Sequence, residues 1–104
     1  MNEEIRNDSA PARDDSATHW RPNPDVVTQL VEGETVLVHL QTNEIYALNA
    51  TATRAWGLLA AGMNRESVQR ILQSEFDVAP EELRREIDTL IGKLVEKQLL
   101  RAAS

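Results

Sequence analysis

The side chains able to carry out covalent or acid–base chemistry are few in this chain of 104 residues, which contains no cysteine and two histidines, His19 and His39. Without cysteine there is no thiolate nucleophile, thiolate metal site or disulfide framework. The histidines do not stand at H-x-x-x-H or H-E-x-x-H spacing, so no zinc site is expected. Glycines stand at 33, 57, 62 and 92. None belongs to a G-x-G-x-x-G or P-loop pattern that would cradle a phosphate, and no cofactor is expected. The acidic pairs Glu3-Glu4 and Glu81-Glu82 are adjacent in sequence, and adjacent side chains diverge on a helix. A nucleophile with its base, a metal cluster or two carboxylates in a dry pocket would be needed for catalysis. The inventory supplies none of these, so an enzyme is not expected.

Charge narrows the remaining classes. Seventeen acidic against eleven basic residues give a net charge of −6, the wrong sign for holding a phosphate backbone through counterion release. Nucleic acid is therefore not an expected partner. The longest apolar runs, such as Leu58 to Ala61, are far shorter than the roughly 20 residues that span a bilayer. The first ten residues lack the apolar core of a secretory signal, so a cytoplasmic protein without membrane attachment is expected. The length suits a single domain.

What remains is binding, and the elements must supply the surface. Residues 1–24 show no apolar periodicity and are rich in Asn, Asp, Ser, Pro and Arg, so they read as a disordered acidic tail. The folded domain is expected over 25–101. Trp20 is expected to lie against the domain edge as the chain enters.

Three β-type runs follow: Val26 to Val31, Thr35 to Leu40 after the Glu32-Gly33 turn, and Glu44 to Leu48 after Thr42-Asn43. Asn43 suits the left-handed position of a tight hairpin. Alternation puts His39 on one face with Thr35 and Leu37, and Val36, Val38 and Leu40 on the other; His39 is read as lying on the solvated face. From Asn49 the period shifts to about 3.6 residues. A first helix is expected from Ala50 to Ala61, capped by Asn49 or Thr51 and stopped by Gly62. A second is expected from Arg65 to Glu75, capped by Asn64. The third, Pro80 to Lys97, carries the stripe Leu83, Ile87, Leu90 and Leu94 into the core.

In a meander both outer strands have free edges, and an open edge accepts an extended peptide. The strand Glu44, Ile45, Tyr46, Ala47 and Leu48 is the candidate. On the third helix, Arg84, Asp88, Ile91 and Val95 form a second stripe beside the core stripe. It reads either as the wall of a groove or, for Ile91 and Val95, as a widening of the core contact. A helix–turn–helix reader is the competing architecture, but the third helix carries Glu81, Glu82, Glu86, Asp88 and Glu96 against Arg84, Arg85, Lys93 and Lys97, an unsuitable surface for a DNA groove.

The segment Tyr46-Ala47-Leu48-Asn49-Ala50-Thr51-Ala52, with Trp56, Leu58-Leu59 and Gly62, resembles the PqqD-like family, the peptide-recognition elements of ribosomally made, modified peptides. The likeness extends to Gly33-Glu34-Thr35-Val36-Leu37-Val38 before it and to Phe76-Asp77-Val78 and the leucines between Leu90 and Leu100 after it. The resemblance implies an α+β, winged-helix-like domain in which a three-stranded antiparallel sheet is followed by three helices, without enzymatic activity. It also implies that a precursor leader peptide adds as an antiparallel strand beside Glu44 to Leu48, with Arg84, Asp88, Ile91 and Val95 opposite. The implied partners are that leader and a maturation enzyme, either a radical SAM enzyme of quinone-cofactor biosynthesis or a leader protease and cyclase of the lasso-peptide type. A winged-helix DNA-binding regulator is the alternative. An edge that accepts peptide also accepts a copy of itself, so a homodimer is a further expectation.

Overall fold

A computed structural model describes residues 18–103. Eight elements follow one another: β1 (Trp20–Pro22), β2 (Val26–Val31), β3 (Glu34–His39), β4 (Glu44–Ala47), α1 (Ala50–Ala60), α2 (Arg65–Glu75), α3 (Pro80–Glu96) and β5 (Leu100–Ala102). Strands β2, β3 and β4 form an antiparallel sheet in sequence order, and β1 pairs with β5 in a separate two-stranded sheet. The fold is α+β, with three strands ahead of three helices as expected. The two-stranded sheet is an addition.

Local chemistry sets the turns. Glu32 and Gly33 both have positive φ, 51° and 84°, the conformation of a two-residue type I′ hairpin, whose twist matches that of the flanking strands. Asn43, at φ 64°, takes the left-handed position between β3 and β4. The Asn49 side chain accepts the Ala52 N–H at 2.9 Å and that of Asn64 accepts the Ser67 N–H at 2.8 Å, which satisfies two otherwise unpaired amides at the starts of α1 and α2. Helix α1 ends on Gly62 at φ 97°. There Met63 N–H reaches Leu58 C=O at 3.1 Å and Gly62 N–H reaches Leu59 C=O at 2.9 Å, the paired bonds of a Schellman stop. Helix α3 ends in the same way, with Leu99 N–H on Leu94 C=O and Gln98 N–H on Val95 C=O. Here Gln98 occupies the left-handed position, at φ 59°.

The core is made by Leu37 and Leu48 beneath the sheet, Ala55, Trp56, Leu58 and Leu59 of α1, Val68 and Leu72 of α2, Leu83, Ile87, Ile91 and Leu94 of α3, and Leu99 and Leu100 after it. Burial at roughly 1.5–3 kcal/mol per large aliphatic side chain makes this cluster the main stabilising term.

Two expectations are corrected. The alternation on β3 is as read, but the faces are exchanged. Thr35, Leu37 and His39 point inward, with His39 only 1% exposed, while Leu40 lies 56% exposed. Alternation sorts residues into two sets without saying which set meets the helices, and polarity alone is what favours His39 outward. Its Nδ1 accepts the Gln41 N–H at 3.2 Å, a local bond that helps a polar ring tolerate burial.

The second correction concerns the tail. Residues 1–17 of the expected 1–24 segment lie outside the described residues, but residues 18–24 belong to the folded body. Trp20 is buried in the core cluster and pairs with Ala102, while Pro22 pairs with Leu100. Asn23 ties the two ends: its N–H reaches Leu99 C=O at 2.9 Å and its Nδ2 reaches Gln98 C=O at 2.7 Å. His19 Nδ1 donates to Gly62 C=O at 2.6 Å. Strands of three residues carry too short a pattern to be read from composition, and their partners stand about 80 positions away.

Candidate functional site

β4 is an edge strand, and the hydrogen-bond phase of the sheet decides which of its backbone groups are free. Leu48 N–H donates to Thr35 C=O at 2.8 Å. Bonded and non-bonded pairs alternate in an antiparallel ladder. With Leu37 opposite Tyr46 and His39 opposite Glu44, Glu44, Tyr46 and Leu48 turn their amides toward β3. Ile45 and Ala47 turn theirs away. The open edge therefore offers two N–H and two C=O groups, from Ile45 and Ala47.

Side chains alternate as well. Leu48 is buried and Tyr46 half-buried against the core, whereas Ile45 is 67% exposed. The Tyr46 hydroxyl donates to the Glu44 carboxylate. That bond, with partial desolvation and the charge of Glu44, holds the phenol above its usual range, so Tyr46 is a neutral donor at every physiological pH.

Beside this edge lies a cleft of about 450 Å³ between β4 and the C-terminal half of α3, lined by Ile45, Tyr46, Ala47 and Leu48 on one side and Leu90, Lys93, Leu94, Glu96 and Lys97 on the other, with Leu99 at its end. A second cavity of about 490 Å³ shares Leu90 and Lys93 with it and continues between the start of α1 and the N-terminal half of α3. Together they make one trough along α3. Its floor is apolar, and Lys93 and Lys97 stand on its rim with no carboxylate in ion-pair contact among the described residues. No group of residues suited to holding a metal ion occurs among the described residues.

The structure divides the expected site in two. Ile45, Tyr46, Ala47 and Leu48 all border the cleft, whereas Glu44 lines neither cavity and adjoins the site only as the acceptor for the Tyr46 hydroxyl. The α3 stripe does not join them. Arg84 pairs with Glu81 at 3.3 Å, Asp88 pairs with Arg65 at the start of α2 at 3.0 Å, and Ile91 is 5% exposed within the core. Val95 is 42% exposed and lines neither cavity. At about 100° per residue, Leu90, Lys93 and Lys97 fall on one side of Leu94 and Arg84, Asp88, Ile91 and Val95 on the other. Ile91 serves the core, one of the two readings its spacing allows, and Val95 stands exposed outside both cavities. The flank that borders the cleft is marked in the sequence by Lys93 and Lys97, four residues apart beside Leu90 and Leu94.

Comparison with known proteins places this fold. Two solved structures are similar over nearly their whole length. TbiB1 in complex with the TbiA(beta) leader peptide is 28% identical, with a TM-score of 0.74 over 81% of this chain and 98% of that one. A lasso peptide synthetase B1 complexed with the leader peptide is 26% identical, with a TM-score of 0.73 over 79% of this chain and 96% of that one. Among curated proteins none matches. The family described as coenzyme PQQ synthesis protein D (PqqD) matches residues 34–100, a span that begins with β3 and ends at the start of β5. Since that match covers more than half of the sequence, and the free strand, the facing helix and the trough between them all fall inside it, the chain belongs to the PqqD family.

Proposed function

We propose that this protein binds the leader segment of a ribosomally made precursor peptide as a fourth strand on β4 and presents it to a maturation enzyme, without catalysing a reaction itself. The observation that carries the reading is the free edge at Ile45 and Ala47 facing a trough walled by α3, in a chain whose two similar structures hold leader peptides.

Backbone pairing supplies affinity that tolerates sequence, and side-chain pockets supply selectivity. Four hydrogen bonds at ~0.5–1.5 kcal/mol net each do not by themselves overcome the cost of association, so apolar anchors are required. Leu90 and the ring of Tyr46, both only partly buried, provide them at the surface of the cleft, over a floor that includes the buried Leu94. Lys93 and Lys97 share the cleft lining with Glu96, but neither lysine is engaged in an ion pair among the described residues, so each can receive an acidic residue of the peptide beside its apolar anchors.

The partner enzyme is a leader protease and cyclase of the lasso-peptide type or a radical SAM enzyme. The resemblance to B1 proteins favours the first of these. No helix among the described residues is long and apolar enough to cross a membrane, in keeping with a cytoplasmic escort. Nothing in the family match or the similar structures supports the DNA-binding alternative.

Calorimetric titration of the leader encoded beside this gene tests the reading. Binding with a Kd below about 100 μM is expected, weakened by Ala47→Pro. No heat of binding from that leader at higher concentrations would falsify it.

A further inference from the structure

β2 forms the opposite edge of the three-stranded sheet, and neither cavity borders it. Of its six residues, Val-Val-Thr-Gln-Leu-Val, only Val26 is half-buried; Leu30 is 71% exposed, Val31 50% and Val27 42%. The strand contains no charge, proline or glycine, and its pairing runs without a bulge from Val26 opposite His39 to Val31 opposite Glu34. Edge strands of stable proteins are usually blunted by charge, proline or a bulge, because an open edge templates pairing with another chain. This one carries none of those protections.

The phase of the edge is readable. Leu40 N–H donates to Asp25 C=O at 2.8 Å, and the two-residue turn makes Val31 and Glu34 a bonded pair. Alternation then directs Val27, Gln29 and Val31 toward β3 and the backbone groups of Thr28 and Leu30 outward. The Val26 N–H is taken by Asn23 C=O at 3.0 Å, leaving its carbonyl outward.

The geometry points to a second copy of this chain on that edge, as an antiparallel β2–β2 pair with its twofold axis at Thr28. A twofold pair must set outward groups against outward groups. Placing Thr28 opposite Thr28 does so, and brings Val26 opposite Leu30 at each end. The apolar Leu30 side chain is then covered by Val26 of the partner, and Asp25 falls opposite Val31, so no like charges meet. The neighbouring register, Val26 opposite Val31, would put Asp25 against Glu32 and bonded positions against non-bonded ones. The result is a continuous six-stranded sheet with a β4 edge and its trough at each outer end. The two interactions use opposite edges, so the dimer does not rest on the peptide reading and does not compete with peptide.

The dimer is weak. One strand pair buries well under the ~800 Å² per partner of a standard interface, and each chain carries a charge of −6, so the copies repel. Dissociation constants of tens to hundreds of micromolar are expected, tightening as salt screens the repulsion.

Analytical ultracentrifugation of the full chain from about 10 μM to about 1 mM, at low and high salt, spans that range. A reversible dimer favoured by salt is expected. Leu30→Lys, at a site too exposed to affect folding, and Thr28→Pro should each raise the dissociation constant at least tenfold, and Ala47→Pro should leave it unchanged. Amide exchange at Thr28 and Leu30 should slow as concentration rises. A protein that stays monomeric throughout, or a dimer dissolved by Ala47→Pro but not by Leu30→Lys, would overturn the proposal. A monomer whose Leu30→Lys variant alone loses a co-purifying maturation enzyme would also overturn it, and would give the edge to a foreign strand. Leader titration reads β4 separately, so failure of either proposal is visible without the other.

Discussion

Two neighbouring residues of β4 have opposite backbone roles. Ala47 directs its N–H outward, whereas Leu48 donates its own to Thr35. Proline removes the donor at either position. Ala47→Pro is therefore expected to reduce leader affinity about 2- to 12-fold, the loss of one net hydrogen bond, with little change in melting temperature. Leu48→Pro breaks the sheet and the packing of a side chain only 8% exposed, so it should lower the melting temperature before any binding can be measured. On α3 the contrast lies between flanks. Lys93→Glu should weaken leader binding several-fold while leaving stability within about 0.5 kcal/mol. Ile91→Ala should cost about 2–5 kcal/mol in denaturant unfolding and leave the affinity of the folded fraction unchanged. If Ile91→Ala spared stability and abolished binding, the two flanks of α3 would have to be exchanged.

At the scale of elements, the ends of helices and the links between them carry the testable terms. Gln98 holds a left-handed conformation at φ 59°, which costs an ordinary residue what glycine avoids. Gln98→Gly should stabilise the protein by about 0.5–1 kcal/mol in urea unfolding, provided the Asn23 bond to its carbonyl persists. Helices α1 and α2 are linked by a two-pronged pair from Arg54 to Glu75, at 2.9 and 2.8 Å. The hydrogen bonds and charge of Arg54 lower the Glu75 pKa. A carboxyl lowered in the folded state stabilises it above the ordinary glutamate value, about 4.3, and that contribution disappears as pH falls through the lowered value. Both groups are solvent-exposed, so the effect is small. Stability measured from pH 7 to pH 3 should fall slightly less steeply for Glu75→Gln than for the parent, and an identical slope would mean that the pair contributes nothing.

Across the whole molecule, the termini of the described chain are joined by β1 and β5, clasped by Asn23 and by Ala103 N–H on His19 C=O at 2.8 Å. Trp20 anchors this clasp in the core. Trp20→Ala should cost about 3–5 kcal/mol, and the loss should appear as one cooperative transition, because the clasp packs on α1 and α3 rather than standing apart. A separate low-temperature transition would show that the clasp folds on its own.

How much of this was written in the chain follows the range of the interactions. Turn chemistry at Glu32-Gly33 and Asn43, caps at Asn49 and Asn64, the stop at Gly62 and the spacing of Leu83, Ile87, Leu90 and Leu94 are local, so the sequence by itself determined three strands, three helices and the open edge at Ile45 to Leu48. Two sets of side chains alternate on β3 and two flanks border the core stripe of α3, and periodicity is symmetric between them. Only tertiary packing broke that symmetry, turning His39 inward, setting Asp88 against Arg65 and leaving Leu90, Lys93 and Lys97 to face the strand. The pairing of Trp20–Pro22 with Leu100–Ala102 depended on tertiary structure for a different reason: contacts between three-residue strands so far apart in the chain form only after the core between them has brought both ends to the same place.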